Sequence, residues 1–432
     1  MNRRTFIKAA GANAGTLAIG GNAVLLAASD ASQSPTAQPA SRAGGNVTAD
    51  VAVLGAGVFG GWTALYLREM GLSVVMIDQY GPGNSKSSSG GEIRGMRATY
   101  GDQEYYSRWA MEAMERWKIR EAEFGTKLFY QCGGLLINRE WTKQLTATRA
   151  TFDKLKIPYE VVKHDDLARR FPQVATETNE FFGFHTPMGG VLKAHDACVA
   201  VARSFEKKGG RFIVGKAELG PRAGGKLQTL TLSSGETVSA GTFVFAAGPW
   251  LLTLFPDVMK NKLMVAKRGY YMVGTPPGDN RFSYPNLPNT GIGVPSVDGL
   301  GLAVLMGTGN KPVDPDTHDR VPTAEDKAAI RQILTSRFPA LKDQPILNAH
   351  VCQSDNTVDG NFIIDRHPGL DNVWLVGGGS YHGFKMGPVA GDYTAQRVVG
   401  RDRNPELAAT FKIKSETFVE GAPTPRAPDM VE

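Results

Sequence analysis

Three glycines, Gly55, Gly57 and Gly60, follow the apolar run Val51–Leu54 in the spacing Gly-x-Gly-x-x-Gly, and a helix-like pattern opens behind them. A second apolar run, Ser73–Ile77, ends at Asp78, 23 residues after Gly55. Each glycine has its own use beside a phosphate. Gly55 permits the tight turn out of the strand. Gly57 lets backbone N–H groups approach a pyrophosphate with no Cβ in the way, and Gly60 lets the helix sit close on the strand. The helix then turns its positive dipole end toward the phosphates. Asp78 is placed to accept from ribose hydroxyls. Set between strand and helix, with the acid in place, this is a dinucleotide-binding fingerprint. It does not by itself separate a nicotinamide cofactor from a flavin.

Such a site needs a sheet behind it. Apolar runs recur at Arg211–Val214, Thr242–Phe245 and Val373–Val376, each leading into a glycine-containing loop, as strands abutting a cofactor do. A helix over His195–Lys208 ends at Gly209-Gly210, a C-cap pair that returns the chain to a strand. Other stretches differ in character. Glu104–Phe124 reads as a long amphipathic helix and Ala324–Phe338 as a second one. Leu128–Asn138, Lys262–Val273 and Gly301–Met306 read as strands of an antiparallel sheet, and the Pro/Gly/Asn-rich run Pro276–Pro295 as loop. The expected class is α/β: a Rossmann-like domain over 48–92, 190–255 and 345–400, interleaved with an α+β substrate domain over 93–189 and 256–344.

The chain ends read differently. Residues 1–28 open with Arg3-Arg4-Thr5-Phe6-Ile7-Lys8 and continue as a weakly apolar Gly/Ala run, which resembles a twin-arginine export signal. That implies a periplasmic or extracellular protein carried out folded, with its cofactor loaded, by the twin-arginine machinery. Residues 29–47 are Ser/Pro/Ala-rich and read as a flexible linker, and 419–432 as a disordered Pro-rich tail.

Composition removes several function classes. About 385 residues follow the linker, enough for two packed domains. The net charge is +6, but Arg3, Arg4 and Lys8 lie in the signal, and no basic stripe with interleaved aromatics follows, so nucleic acid is not expected. Three cysteines, Cys132, Cys198 and Cys352, form neither a disulfide framework nor a zinc pattern. The seven histidines show no metal spacing, and no Gly-x-Ser-x-Gly elbow is present.

Further segments extend the fingerprint. Thr242-Phe-Val-Phe-Ala-Ala247-Gly248-Pro-Trp250 is a strand ending in a small-residue turn. Leu375-Val-Gly377-Gly378-Gly379-Ser-Tyr-His382-Gly383-Phe384-Lys385 is a strand into a glycine cluster. With the first motif, these resemble the D-amino-acid-oxidase-like flavoproteins, nearest to monomeric sarcosine oxidase and N-methyltryptophan oxidase, in the same order over residues 50–400. The resemblance implies bound FAD, a single-chain enzyme, and a small carboxylate-bearing amine as substrate. Ser88-Ser-Gly-Gly-Glu-Ile-Arg94-Gly-Met-Arg97 resembles the family segment whose first arginine lies against the flavin and whose second binds the substrate carboxylate. Cys352-x4-Thr357-x-Asp359-x2-Phe362-Ile-Ile-Asp365 resembles the segment whose cysteine is bonded to the flavin. His382-Gly-Phe-Lys385 resembles the one whose lysine joins the second arginine on the carboxylate. A guanidinium fork with an ammonium beside it suits that task. Arg97, Lys385 and His382 are thus the candidate catalytic groups. Gly55, Gly57, Gly60, Asp78, Ser88, Arg94, Ala247, Gly248, Cys352, Gly378, Gly379, Gly383, Phe384 and Lys385 are the candidate cofactor-binding ones.

Three positions depart from the family pattern. Ala303 stands where a lysine is thought to activate dioxygen, Ile292 replaces an active-site tyrosine, and Gly307 a histidine. The leading expectation is oxidation of the C–N bond of an amino acid or N-substituted amino acid. Ala303 opens a second, a dehydrogenase that passes electrons to a quinone or cytochrome instead of O2. A flavin-binding assembly protein with little turnover is the third, opposed by the retained Arg97 and Lys385. Tyr270 and Tyr271 are candidates to line the pocket.

Overall fold

The computed structural model describes residues 45–174, 180–307 and 312–419. The stretch read as an export signal, the stretch read as linker up to residue 44 and the tail from residue 420 lie outside the described residues.

The fingerprint region folds as its pattern requires. Strand β1 (Asn46–Leu54), helix α1 (Val58–Glu69) and strand β2 (Val74–Asp78) form one βαβ unit, with β1 and β2 paired in parallel. The strand starts at Asn46, inside the stretch read as linker, because Asn46–Ala49 pair with Thr237–Ala240. Strand Thr237–Phe245 lies parallel on the other side of β1, strand Arg211–Val214 beyond β2, and strand Val373–Gly377 beyond Thr237–Phe245. They belong to a mixed eight-stranded sheet. Their apolar runs are continuous because both faces are covered. On one face, helix Gly387–Val398 meets α1 through small residues. A Cβ at Gly391 would lie 2.3 Å from Trp62 Cβ, and one at Gly387 2.5 Å from Val58 Cγ2. That contact closes a core around Trp62, Trp117, Tyr106 and Phe205.

A second sheet roofs the cavity. Gly293–Val294, Leu302–Gly307, Leu263–Val273 and Ile346–Thr357 pair in that order, all antiparallel. Alternation along Leu263–Val273 splits its side chains. Tyr271 and Val273 turn toward Ile330, Leu334 and Phe338 at the helix Ala324–Arg337. Arg268, Tyr270 and Met272 take the opposite face, in register with Cys352, His350 and Asn348.

One expectation needs correction, and one strand was not expected. Leu128–Asn138 is not one strand of this sheet. It breaks into Phe129–Tyr130 and Gly134–Asn138, which join two separate three-stranded sheets. The break falls at Gly133, whose φ of 84° no strand accommodates. The twelve-residue strand Ile346–Thr357 had no apolar run to announce it. Its buried Gln353, Ser354, Asp355 and Asn356 make it polar where a core strand is ordinarily apolar.

Candidate active site

At the end of β1 the chain turns through Gly55 at φ 110°, where a Cβ would sit 2.3 Å from the Ala246 carbonyl oxygen. A Cβ at Gly60 would lie 1.9 Å from the Gly55 carbonyl oxygen, so strand and helix can meet this closely only with glycine there. Gly57 caps α1 with no side-chain bond of its own, and the first turn holds no acid. Ser89 Oγ accepts from the Val58 N–H at 3.0 Å and stands at the helix mouth. Sequence reading passed over Ser89; its neighbour Ser88 was the expected contact.

Asp78, expected to accept from ribose hydroxyls, is engaged by the backbone. Its Oδ2 accepts from Ala56 N–H at 2.8 Å, and its Oδ1 from Tyr80 and Gly81 N–H at 2.9 Å each. The carboxylate therefore ties the glycine turn to the end of β2. Burial pushes its pKa up, against the pull of these three N–H groups.

The middle of the cavity is organised by an acid that the sequence did not announce. Asp355 is 3% exposed. Its Oδ2 accepts from Gly378 N–H at 2.6 Å and Gly379 N–H at 3.4 Å, and Ser88 Oγ donates to Oδ1 at 3.4 Å. It thereby joins the arginine segment to the glycine cluster. Ala247 and Gly248 line the same stretch. Within the cluster Ser380 and Tyr381 hold φ values of 44° and 66°, an uncommon conformation for non-glycine residues. The turn that delivers Lys385 is therefore held by its bonds to the Ser354–Thr357 strand end, not by local preference. Gly383 is needed for space, since a Cβ there would meet Phe59 Cζ at 2.7 Å.

Arg94 and the expected catalytic groups Arg97 and Lys385 all line the cavity. Arg94, 8% exposed, donates to the carbonyls of Ile93 (2.8 Å) and Ser88 (2.9 Å), and its guanidinium lies 4.3 Å from the Tyr270 ring centroid and 5.8 Å from that of Phe384. Arg97 is half-buried and lines the cavity beside Gly291. Lys385 is buried on the short helical turn Phe384–Met386, with Nζ 5.4 Å from the Tyr100 ring centroid. The Trp117 indole N–H donates to its carbonyl at 2.9 Å.

Cys352 is buried, faces the cavity and is the cross-strand partner of Arg268. Burial pushes its thiol pKa up, while Arg94 and Arg268 pull it down. Arg268 lies 4.3 Å from the Tyr381 ring centroid and also faces the cavity; sequence reading did not single it out. Tyr270 lines the cavity, with its hydroxyl pushed up to about 12 by burial, whereas Tyr271 faces the opposite core.

His382 lines the cavity and is bonded at both ring nitrogens. Its Nε2 meets the Gly360 carbonyl at 3.0 Å and its Nδ1 the Tyr100 hydroxyl at 3.2 Å, and the ring stacks on Phe362 at 4.7 Å. A carbonyl can only accept, so Nε2 carries hydrogen, and in the neutral ring Nδ1 accepts from Tyr100. Both nitrogens are engaged by the protein, and His382 lines the cavity on the loop that carries Lys385.

The departures also find their places. Ile292 and Leu305 line the cavity. Ala303 is fully buried among Ile93, Val191, Met272, Val294 and Val297. A lysine at that position would enter a packed apolar cluster.

All these groups border one cavity of about 830 Å³, continuous from Gly57, Asp78 and Tyr80 to Arg97 and Lys385. A Cβ at Gly57 would approach nothing nearer than Ser89 Oγ, at 3.2 Å, so the loop backbone lies open toward the helix mouth. An elongated dinucleotide fits this shape: its pyrophosphate would sit at an acid-free helix N-terminus and its ring system under the Arg268–Tyr270 face.

Residues 50–397 match the family described as FAD dependent oxidoreductase. Peroxisomal sarcosine oxidase of Homo sapiens is 30% identical over 362 residues, which cover 79% of this chain and 90% of that one. Monomeric sarcosine oxidase of a Bacillus species is 27% identical over 358 residues, covering 80% and 92%. Among solved structures, a modified fructosyl peptide oxidase from Aspergillus nidulans superposes with a TM-score of 0.76 at 18% identity, over 89% of this chain and 98% of that one. Alike in sequence over most of its length and built on a cavity that accepts the dinucleotide, this chain belongs to the FAD-dependent oxidoreductases.

Proposed function

We propose that the protein oxidises the C–N bond of an amino acid or N-substituted amino acid that it grips by the α-carboxylate. The observation that carries this reading is that Arg97 and Lys385 both line the same cavity as the glycine turn and Asp78. The relatives named as sarcosine oxidases support the substrate class. Bound FAD supplies the hydride-accepting chemistry. The rest falls to the chain. Arg97 offers a planar fork to the carboxylate, and Lys385 adds a charge whose buried position raises its effect. Two fixed anchors orient the substrate carbon, which is worth more than affinity alone. Ile292 and Leu305 keep that end apolar. A neutral amine substrate needs no separate base, and the imine product is hydrolysed by water.

Cys352 is the residue proposed to hold FAD covalently, since it is buried, lines the cavity and is the cross-strand partner of Arg268. Export through the twin-arginine route rests on Arg3-Arg4 alone.

The acceptor divides two readings. An oxidase uses O2; a dehydrogenase would use a quinone or cytochrome. Ala303 favours the second, because the resemblance expects at that position a cation that would stabilise developing negative charge on oxygen, and alanine supplies none. The test is an anaerobic panel of primary and N-methylated amino acids mixed with the purified holoprotein, followed by readmission of air or an artificial quinone. Flavin bleaching by at least one amino acid, then slow recovery in air and faster recovery with quinone, is expected. Rapid recovery in air with peroxide release makes it a plain oxidase. A panel that bleaches nothing returns the protein to a non-catalytic flavin binder.

A further inference from the structure

Charge is divided along the cavity. Its carboxylates, Asp78, Glu218, Asp316 and Asp355, lie at the nucleotide end or in the glycine cluster, and Asp316 is bonded there by the Trp250 indole N–H at 2.7 Å. Around the substrate end, no carboxylate lines the wall among the described residues, and Arg97 is joined there by Arg337.

One short segment lies against Arg97 on one side and against Phe338, the neighbour of Arg337, on the other. A Cβ at Gly291 would lie 2.9 Å from Arg97 Nη1, and one at Gly293 2.4 Å from Phe338 Cζ, next in sequence to Arg337. Arg337 is half-buried at the end of its helix, with its guanidinium 5.6 Å from the Phe181 ring centroid and no ion pair among the described residues. Asn138, 6% exposed on the same wall, has an Nδ2 without a hydrogen-bond partner among the described residues. A basic residue in a last helical turn also suits the helix dipole. That preference is met in open solvent and does not require a place on a cavity wall that lacks anions.

We propose that Arg337 binds a second anionic group at the far end of the substrate, so that the substrate is an amino acid or N-substituted amino acid bearing a second carboxylate. This rests on the carboxylate-anchored reading above. Arg97 and Lys385 hold the α-carboxylate, Ile292 and Leu305 flank an aliphatic spacer, and Arg337 closes on the distal acid. One carboxylate would leave Arg337 unneutralised in a half-buried position; two would match it.

The test uses the holoprotein and two unreactive probes, glutarate and butyrate, each titrated against the visible absorbance of the flavin. Glutarate is expected to bind about tenfold more tightly than butyrate, as one added charge-assisted contact allows. In Arg337→Gln the ratio of the two affinities falls toward one, and Arg337→Lys keeps part of it. Anaerobic bleaching provides the second arm, with N-methylglutamate expected to react at lower concentration than N-methylglutamine. Equal reactivity of those two acids, or a probe ratio unchanged in Arg337→Gln, overturns the distal site while leaving carboxylate-anchored oxidation standing. Bleaching by neither N-methylated acid nor any other amino acid overturns the reading beneath it.

Discussion

At the nucleotide end of the cavity, backbone does the holding: Gly55, Gly57 and Gly60 matter for what they lack, and the helix mouth and the N–H groups around Asp78 come from one continuous βαβ unit. At the substrate end, side chains do it. Arg97 follows a short strand, Lys385 sits on a short helical turn, Arg268 and Cys352 lie on a separate sheet, and Arg337 ends a helix. A backbone cradle is set by local spacing and tolerates almost no added atom. A side-chain cage is set by tertiary packing and can change its cargo while the cofactor stays. The first kind of site belongs to a whole family, and the second distinguishes its members.

The difference can be broken most violently at Gly60. A valine there collides with the Gly55 carbonyl, which neither rotamer change nor solvent can relieve. The cost is expected to be about 3 kcal/mol or more, with loss of FAD. Thermal melting and flavin content after gel filtration check this. A yellow, stable Gly60→Val protein would mean that the turn is not the cradle.

Next comes the proposed covalent link. FAD should stay with the acid-precipitated wild-type chain and be freed from Cys352→Ser. Release from the wild type sinks the thioether and leaves the cradle intact.

Asp355 joins the two ends, and its removal should be felt less. Asp355→Ala strands buried N–H groups of the glycine cluster, at about 1–3 kcal/mol. Its pH dependence has a definite sign. Burial raises the folded carboxyl above the ordinary 3.8, so its contribution is full below 3.8 and is lost as pH rises through the folded value. The stability of wild type relative to Asp355→Asn should therefore fall as pH rises out of the acid range. Denaturant melts at several pH values that give a flat or rising difference would contradict it.

Legibility in the sequence followed the same divide. Spacing alone located β1, the glycine turn, α1, β2 and the helix Glu104–Phe124, because periodicity and glycine are local signals. Resemblance then carried Arg94, Arg97, Cys352 and Lys385 to the cavity. Asp355 and Arg268 were not legible. Each lies on a strand, but only pairing between residues far apart in the chain shows that they face the cofactor space. The split of Leu128–Asn138 was missed because one glycine outweighed a run of strand-forming residues. The bonds that hold His382 were not legible because its partners, Tyr100 and Gly360, come from distant segments.

The central claim is that cofactor grip and substrate grip are separable. Its most direct test is an anaerobic titration of Arg97→Ala with the best amino acid, beside the wild type. The variant should carry a full complement of FAD with an unchanged spectrum, yet need roughly ten- to a hundredfold more substrate for half-bleaching, as loss of a contact worth about 1.5–3 kcal/mol implies. Unchanged half-bleaching, or loss of the flavin along with the substrate, would contradict it.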